Sequence, residues 1–145
     1  MDIRPITDAY AVAPQIEPDD CPAIAERGFT TLVCNRPDVE VGPDQSSDAM
    51  RAAAEAAGLA FVMNPVVNGA MGPEQVDGQA RALAASEGPT LAYCRSGTRS
   101  CFVWAFGAAG TIPVDDIVAR AAEAGYDLSP ARPQLDAIAA ARRPA

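Results

Sequence analysis

Apolar residues gather in short runs, each closed by a turn former, and the stretches between them carry helical spacing. Asp2 to Ile6 and Tyr10 to Ala13 read as two short strands around the Thr7-Asp8 turn, with Pro14 closing the second. Pro18-Asp19-Asp20 starts a helix to about Glu26, because proline and acidic residues suit a first helical turn and Gly28 lies just past the end. Phe29 to Cys34 is a β-branched, apolar strand ending at Asn35-Arg36-Pro37-Asp38, and a polar loop from Val39 to Gln45 follows.

The alternation then repeats. Ser46 or Ser47 caps a helix through Ala57, Gly58 stops it, and Leu59 to Met63 is the next strand. A turn-rich loop, Asn64 to Gly72, leads to a helix from Pro73 to about Ser86. Gly88-Pro89 breaks into the strand Thr90-Leu91-Ala92-Tyr93, and Cys101 to Phe106 reads as a buried helix. Pro113 to Ala124 and Pro130 to Arg142 are further helices, split by Gly125-Tyr126-Asp127. Strand–helix alternation predicts one α/β domain over residues 1–145, with a central, mostly parallel sheet of about four to five strands and helices on both faces. Ligands of such sheets bind at the carboxyl ends of the strands, where Asn35-Arg36, Asn64-Pro65 and Cys94 are all expected.

Composition narrows the chemistry. The 145 residues are 49% hydrophobic, enough for an ordinary core, and contain no apolar run long enough to span a bilayer. No secretory signal is visible at the N-terminus, so a cytoplasmic location is expected. A net charge of −8 argues against nucleic acid or an anionic membrane as partner. Every basic residue is arginine, which excludes lysine Schiff bases. Histidine is absent, which excludes Ser-His, Cys-His and His-metal sites. Cys21, Cys34, Cys94 and Cys101 form no C-x2-C pair, so neither zinc nor a disulfide framework is expected, and Cys21 and Cys34 read as packing residues. No cofactor is called for.

What remains is Tyr93-Cys94-Arg95-Ser96-Gly97-Thr98-Arg99-Ser100. It places a cysteine at a strand–loop–helix turn, where backbone N–H groups converge and the helix dipole favours negative charge. Arg95 and Arg99 flank it. Such a cradle suits a thiolate nucleophile and an anionic substrate. Four residues separate Cys94 from Arg99. Cysteine-dependent phosphatases use a loop one residue longer, usually after a histidine, where this chain has Tyr93.

Cys94 to Ser100 resembles the active loop of rhodanese-type sulfurtransferases, whose smaller cradle suits one terminal sulfur. Over about the first 110 residues a second resemblance appears, carried by Asp2-Ile3-Arg4, Gln15-Ile16, Cys34-Asn35-Arg36-Pro37-Asp38 and the Cys94 loop. These segments are similar to the small bacterial domain of the β-lactamase-hydrolase-like family, fused to metallo-β-lactamase-like persulfide dioxygenases. The resemblance implies a dual-specificity-phosphatase-like fold and a role in sulfide or persulfide metabolism. By it, Cys94 is nucleophile and persulfide carrier, Arg99 holds the bound anion, and Ser100 hydrogen-bonds the thiolate. Arg95, Ser96, Gly97 and Thr98 complete the N–H cradle, while Arg36 either adds positive charge or bonds nearby carbonyls as a turn residue. The partners it implies are a small anionic sulfur donor, a thiol acceptor, and a persulfide dioxygenase or sulfide:quinone reductase.

Two alternatives stand beside sulfur transfer. A phosphatase on small phosphoesters needs a general acid, which that fold supplies from the loop after the preceding strand. Here that loop, Asn64 to Gly72, holds no Asp or Glu, and Glu74 and Asp77 fall in the next helix. A non-catalytic anion or redox sensor would use Cys101 to resolve an oxidised Cys94, though the apolar run around Cys101 reads as core.

Overall fold

The central strand of the sheet is the one that delivers Cys94. In the computed structural model, which describes residues 1–142, five strands run in the order β1-β2-β5-β3-β4. They are β1 Arg4–Thr7, β2 Tyr10–Ala13, β3 Thr31–Cys34, β4 Ala60–Met63 and β5 Thr90–Tyr93. Only the β1–β2 pair is antiparallel. All four residues of β2, β3 and β5 are buried, as expected of strands covered on both faces.

Helices α1 (Cys21–Glu26) and α2 (Ser47–Ala56) cover one face, α3 (Pro73–Ala85), α4 (Thr98–Ala108), α5 (Val114–Glu123) and α6 (Arg132–Arg142) the other. Alternation along the strands divides the core accordingly. Ala11, Leu32, Leu91 and Tyr93 pack with Ile24 and Met50, whereas Val12, Val33 and Ala92 pack with Trp104, Ile117 and Leu135. The α/β fold with a mostly parallel five-stranded sheet and helices on both faces is as the sequence predicts.

Local differences have local causes. The first strand is shifted to Arg4–Thr7 because pairing with β2 sets its length. Pro18–Asp20 and Ser129–Ala131 form short 3-10 turns ahead of α1 and α6, where the sequence predicts continuous helix. The Val39–Gln45 loop carries two such turns, Asp38–Glu40 and Pro43–Gln45. Ser46 is the cap of α2, its hydroxyl accepting from Ala49 N at 3.2 Å.

Register decides where the loops meet. Ala13, Tyr93, Cys34 and Met63 are paired in one row across β2, β5, β3 and β4. Each is the last residue of its strand, so the loops starting at Pro14, Cys94, Asn35 and Asn64 leave the sheet along one edge. Among the described residues no helix is long and apolar enough to cross a membrane.

Candidate active site

Cys94 follows β5 and is fully buried, its sulfur accepting a hydrogen bond from Gly97 N at 3.1 Å. The loop is shaped from outside. Gln15 N donates to the Arg95 carbonyl at 3.2 Å, and the Tyr126 hydroxyl donates to the Ser96 carbonyl at 3.0 Å. In a trans peptide C=O and N–H point opposite ways, so a carbonyl tied outward turns the next N–H inward. Tyr126 thereby aims the Gly97 N–H at the sulfur. Gly97 itself has φ +92°, and a Cβ there would overlap the Tyr126 hydroxyl. Only glycine fits at this point of the loop.

Arg95, Ser96 and Thr98 are exposed, and the Ser96 hydroxyl reaches Thr98 Oγ1 at 2.9 Å. Arg99, in the first turn of α4, is 7% exposed. Its Nη1 and Nη2 donate to the Glu40 carboxylate at 2.8 and 2.7 Å, and Nη1 also donates to the Val66 carbonyl at 2.8 Å. The Glu40 carboxylate raises the Arg99 pKa, and the Cys94 sulfur close by adds to that effect. In return Arg99 first, then Arg36, hold Glu40 below its ordinary carboxylate value.

Arg36 joins the same carboxylate: Nε reaches Glu40 Oε1 at 3.2 Å, Nη2 the Glu40 carbonyl at 3.2 Å, and Nη1 the Gln15 Oε1 at 3.2 Å. Arg36 thus bonds a carbonyl of its own turn, as a turn residue would, and its guanidinium is paired with Glu40. Glu40 was not among the residues predicted from sequence. Its i,i+4 spacing from Arg36 was the one available signal, and that spacing says nothing about Arg99.

Ser100 corrects an expectation. Its hydroxyl donates to Asn35 Oδ1 at 2.8 Å, not to Cys94, and a hydroxyl has one proton to give. The bond belongs to a buried polar network. Tyr10 Oη donates to the Ser100 carbonyl at 2.8 Å and accepts from Gln79 Nε2 at 3.0 Å. Asn35 Nδ2 donates to Gln79 Oε1 at 2.7 Å and to the Asn64 carbonyl at 2.9 Å. Ser100 thus fastens the start of α4 to the loops after β3 and β4. A network whose members are all paired is rigid, which holds Arg99 and Cys94 in register.

Tyr93 packs in the core on the α1–α2 side beside Cys34, and burial pushes its phenol far above the usual range. Cys101 lies in the opposite core, where burial and the nearby Cys94 sulfur push its thiol up to about 12. All four cysteines are free. Among the described residues no cluster of three or more Asp, Glu or Cys offers a metal site. Glu74 and Asp77 are exposed on α3, and the Asn64–Gly72 loop contributes to Arg99 only the Val66 carbonyl.

Known proteins resemble this chain in sequence and fold. The family model described as "Beta-lactamase hydrolase-like protein, phosphatase-like domain" matches residues 2–111. A beta-lactamase hydrolase-like protein of Xylella fastidiosa is 32% identical over 130 residues, covering 88% of this chain and 30% of that protein. The chain therefore spans about a third of the length of such curated relatives. A crystal structure of a candidate phosphatase from Neisseria meningitidis Z2491 superposes with a TM-score of 0.83 at 34% identity, over 95% of this chain and 99% of that one. Tk-PTP in its active form shares the fold, with a TM-score of 0.69 at 15% identity over 98% of each chain.

Proposed function

Given that this chain belongs to the family of the phosphatase-like domain of beta-lactamase hydrolase-like proteins, we propose that it uses the cysteine-phosphatase scaffold to transfer sulfane sulfur through Cys94. The Cys94 thiolate attacks the outer sulfur of thiosulfate or of a low-molecular-weight persulfide. A new S–S bond forms, the old one breaks, and its electron pair leaves with sulfite or thiolate. The resulting Cys94–S–S⁻ gives its outer sulfur to an acceptor thiolate or cyanide, and Cys94 returns as thiolate. Such a cycle is ping-pong.

One observation carries this reading: among the described residues, the one carboxyl group hydrogen-bonded to the Cys94–Arg99 turn is Glu40, already committed to Arg99. The Asn64–Gly72 loop has no acid, and Glu40, the carboxylate that meets Arg99, is held in its ionised form by two guanidiniums. Sulfite and thiolate leave as stable anions and need no proton, whereas an alkoxide does. The four-residue span between Cys94 and Arg99 also suits one sulfur better than a tetrahedral phosphate. Four free cysteines fit a reducing compartment, so cytoplasmic action belongs to the proposal. So does a persulfide dioxygenase or sulfide:quinone reductase as partner.

Hydrolysis of phosphoesters is the second reading. By their descriptions the matched family and the Neisseria structure favour it over sulfur transfer. Intact-mass measurement after thiosulfate or glutathione persulfide separates the two. One added sulfur on the wild type, absent from Cys94→Ser, is expected. Hydrolysis of p-nitrophenyl phosphate that depends on Cys94, with no sulfur adduct from any donor, would reverse the order.

A further inference from the structure

We propose that the cleft beside Arg99 selects, within the sulfur-transfer reading above, a monoanionic sulfane-sulfur donor with a compact apolar substituent, such as an aryl thiosulfonate, in preference to the thiosulfate dianion. The cleft lies between the loop after β4 and the outer side of α4, with a volume of about 330 Å³. Val67, Met71, Phe102 and Phe106 supply its apolar lining, and Asn68, Thr98 and Arg99 its polar side chains. The volume is at the small end of the roughly 300–1,000 Å³ that ligand pockets span, which suits a group of about one ring.

The walls are built for such a group. Phe102 and Phe106 meet edge to face with centroids 6.5 Å apart, and both are only partly buried. Val67 is 54% exposed, so covering it with an apolar group removes surface from water. Thr98 and Arg99 belong to the turn that encloses the Cys94 sulfur. Both line the cleft as well as the turn, so a donor whose sulfane sulfur meets Cys94 has the cleft beside the turn for its substituent.

Charge points the same way. Arg36 and Arg99 share one carboxylate, Glu40, so this trio carries one net positive charge, while Arg95, the loop's other guanidinium, is exposed and its charge is screened by solvent. The Cys94 thiolate takes up that charge, and a dianionic donor adds one more uncompensated charge than a monoanion does. For a thiosulfonate the step balances: Cys94–S⁻ attacks the terminal sulfur of R–SO2–S⁻, Cys94–S–S⁻ forms, and R–SO2⁻ leaves with the electron pair.

The test compares kcat/KM for benzenethiosulfonate, methanethiosulfonate and thiosulfate, with cyanide as acceptor. Taking each donor ratio in wild type against variant cancels intrinsic donor reactivity. The benzene-to-methane ratio is expected to fall by about fivefold or more in Phe106→Ala and in Val67→Ser, the latter an exposed position where folding is not at stake. The methanethiosulfonate-to-thiosulfate ratio is expected to fall severalfold in Glu40→Gln, which restores positive charge. Ratios within about twofold of wild type in these variants overturn the inference while sulfur transfer stands. No adduct on Cys94 from any of the three donors removes the functional reading itself, and the inference with it.

Discussion

The Glu40 carboxylate receives two parallel hydrogen bonds from the Arg99 guanidinium, 2.8 Å to Nη1 and 2.7 Å to Nη2. This fork fixes the arginine's plane before any substrate arrives, and charge-assisted bonds of this kind are among the stronger ones. The loop's arginine is thus positioned by a residue from the loop after β3, at the cost of part of its charge.

Glu40→Gln should therefore lower stability at neutral pH by about 1–2 kcal/mol, measured by urea unfolding. The pH dependence has a definite sign. Folding lowers the Glu40 pKa from 4.5, so its contribution is present above that value and is lost as pH falls through the folded pKa. Melting temperatures of the wild type should drop more steeply than those of Glu40→Gln between about pH 5 and 3. Parallel curves would mean that the fork does not matter to folding.

Tyr126→Phe keeps the ring and removes the bond to the Ser96 carbonyl. The expected stability loss is about 1 kcal/mol. Because that bond aims the Gly97 N–H at Cys94, kcat should also fall severalfold with KM little changed. A loss of stability with an unaltered kcat would make Tyr126 a packing residue only.

Gly97→Ala meets two obstacles, a left-handed φ of +92° and the Tyr126 hydroxyl in the space a Cβ needs. The backbone part alone costs about 1–2 kcal/mol. Combining Gly97→Ala with Tyr126→Phe should recover only the steric part, so the double variant is expected to be more stable than the sum of the singles. Strict additivity in unfolding free energy would contradict the close approach.

Alkaline stability tests the second core. Burial raises the Cys101 thiol from 9.0 to about 12, so its unfolded form loses a proton at a pH where the folded form keeps it. The stability it contributes is complete below pH 9.0 and is lost between there and about 12. Cys101→Ala should flatten the fall in melting temperature above pH 9.0, relative to wild type. The same burial argues against a redox partnership. Mild oxidant should yield no Cys94–Cys101 disulfide by mass analysis, and finding one would revive the sensor reading.

Much of the fold can be read along the chain, because its signals act over a few residues. The buried runs at Tyr10–Ala13, Thr31–Cys34 and Thr90–Tyr93, the Ser46 cap and the Pro73 start of α3 appear where the pattern places them. So does the reactive loop, whose cysteine, glycine and arginine are contiguous. Their neighbours in space are not. Glu40 lies 59 positions before Arg99, and Tyr126 lies 30 beyond Ser96.

The sequence by itself determined the alternation of strands and helices, the absence of histidine and lysine chemistry, and a cysteine cradle too short for the usual phosphatase loop. Only the tertiary structure decided what aims that cradle: a carboxylate holding Arg99, a tyrosine turning the Gly97 N–H inward, and Ser100 bonded to Asn35 where a bond to Cys94 was expected. The reason is physical. Helix and strand preferences arise from nearest neighbours along the chain, whereas a hydroxyl or carboxylate gives its bonds to whichever partner the sheet register brings within about 3 Å.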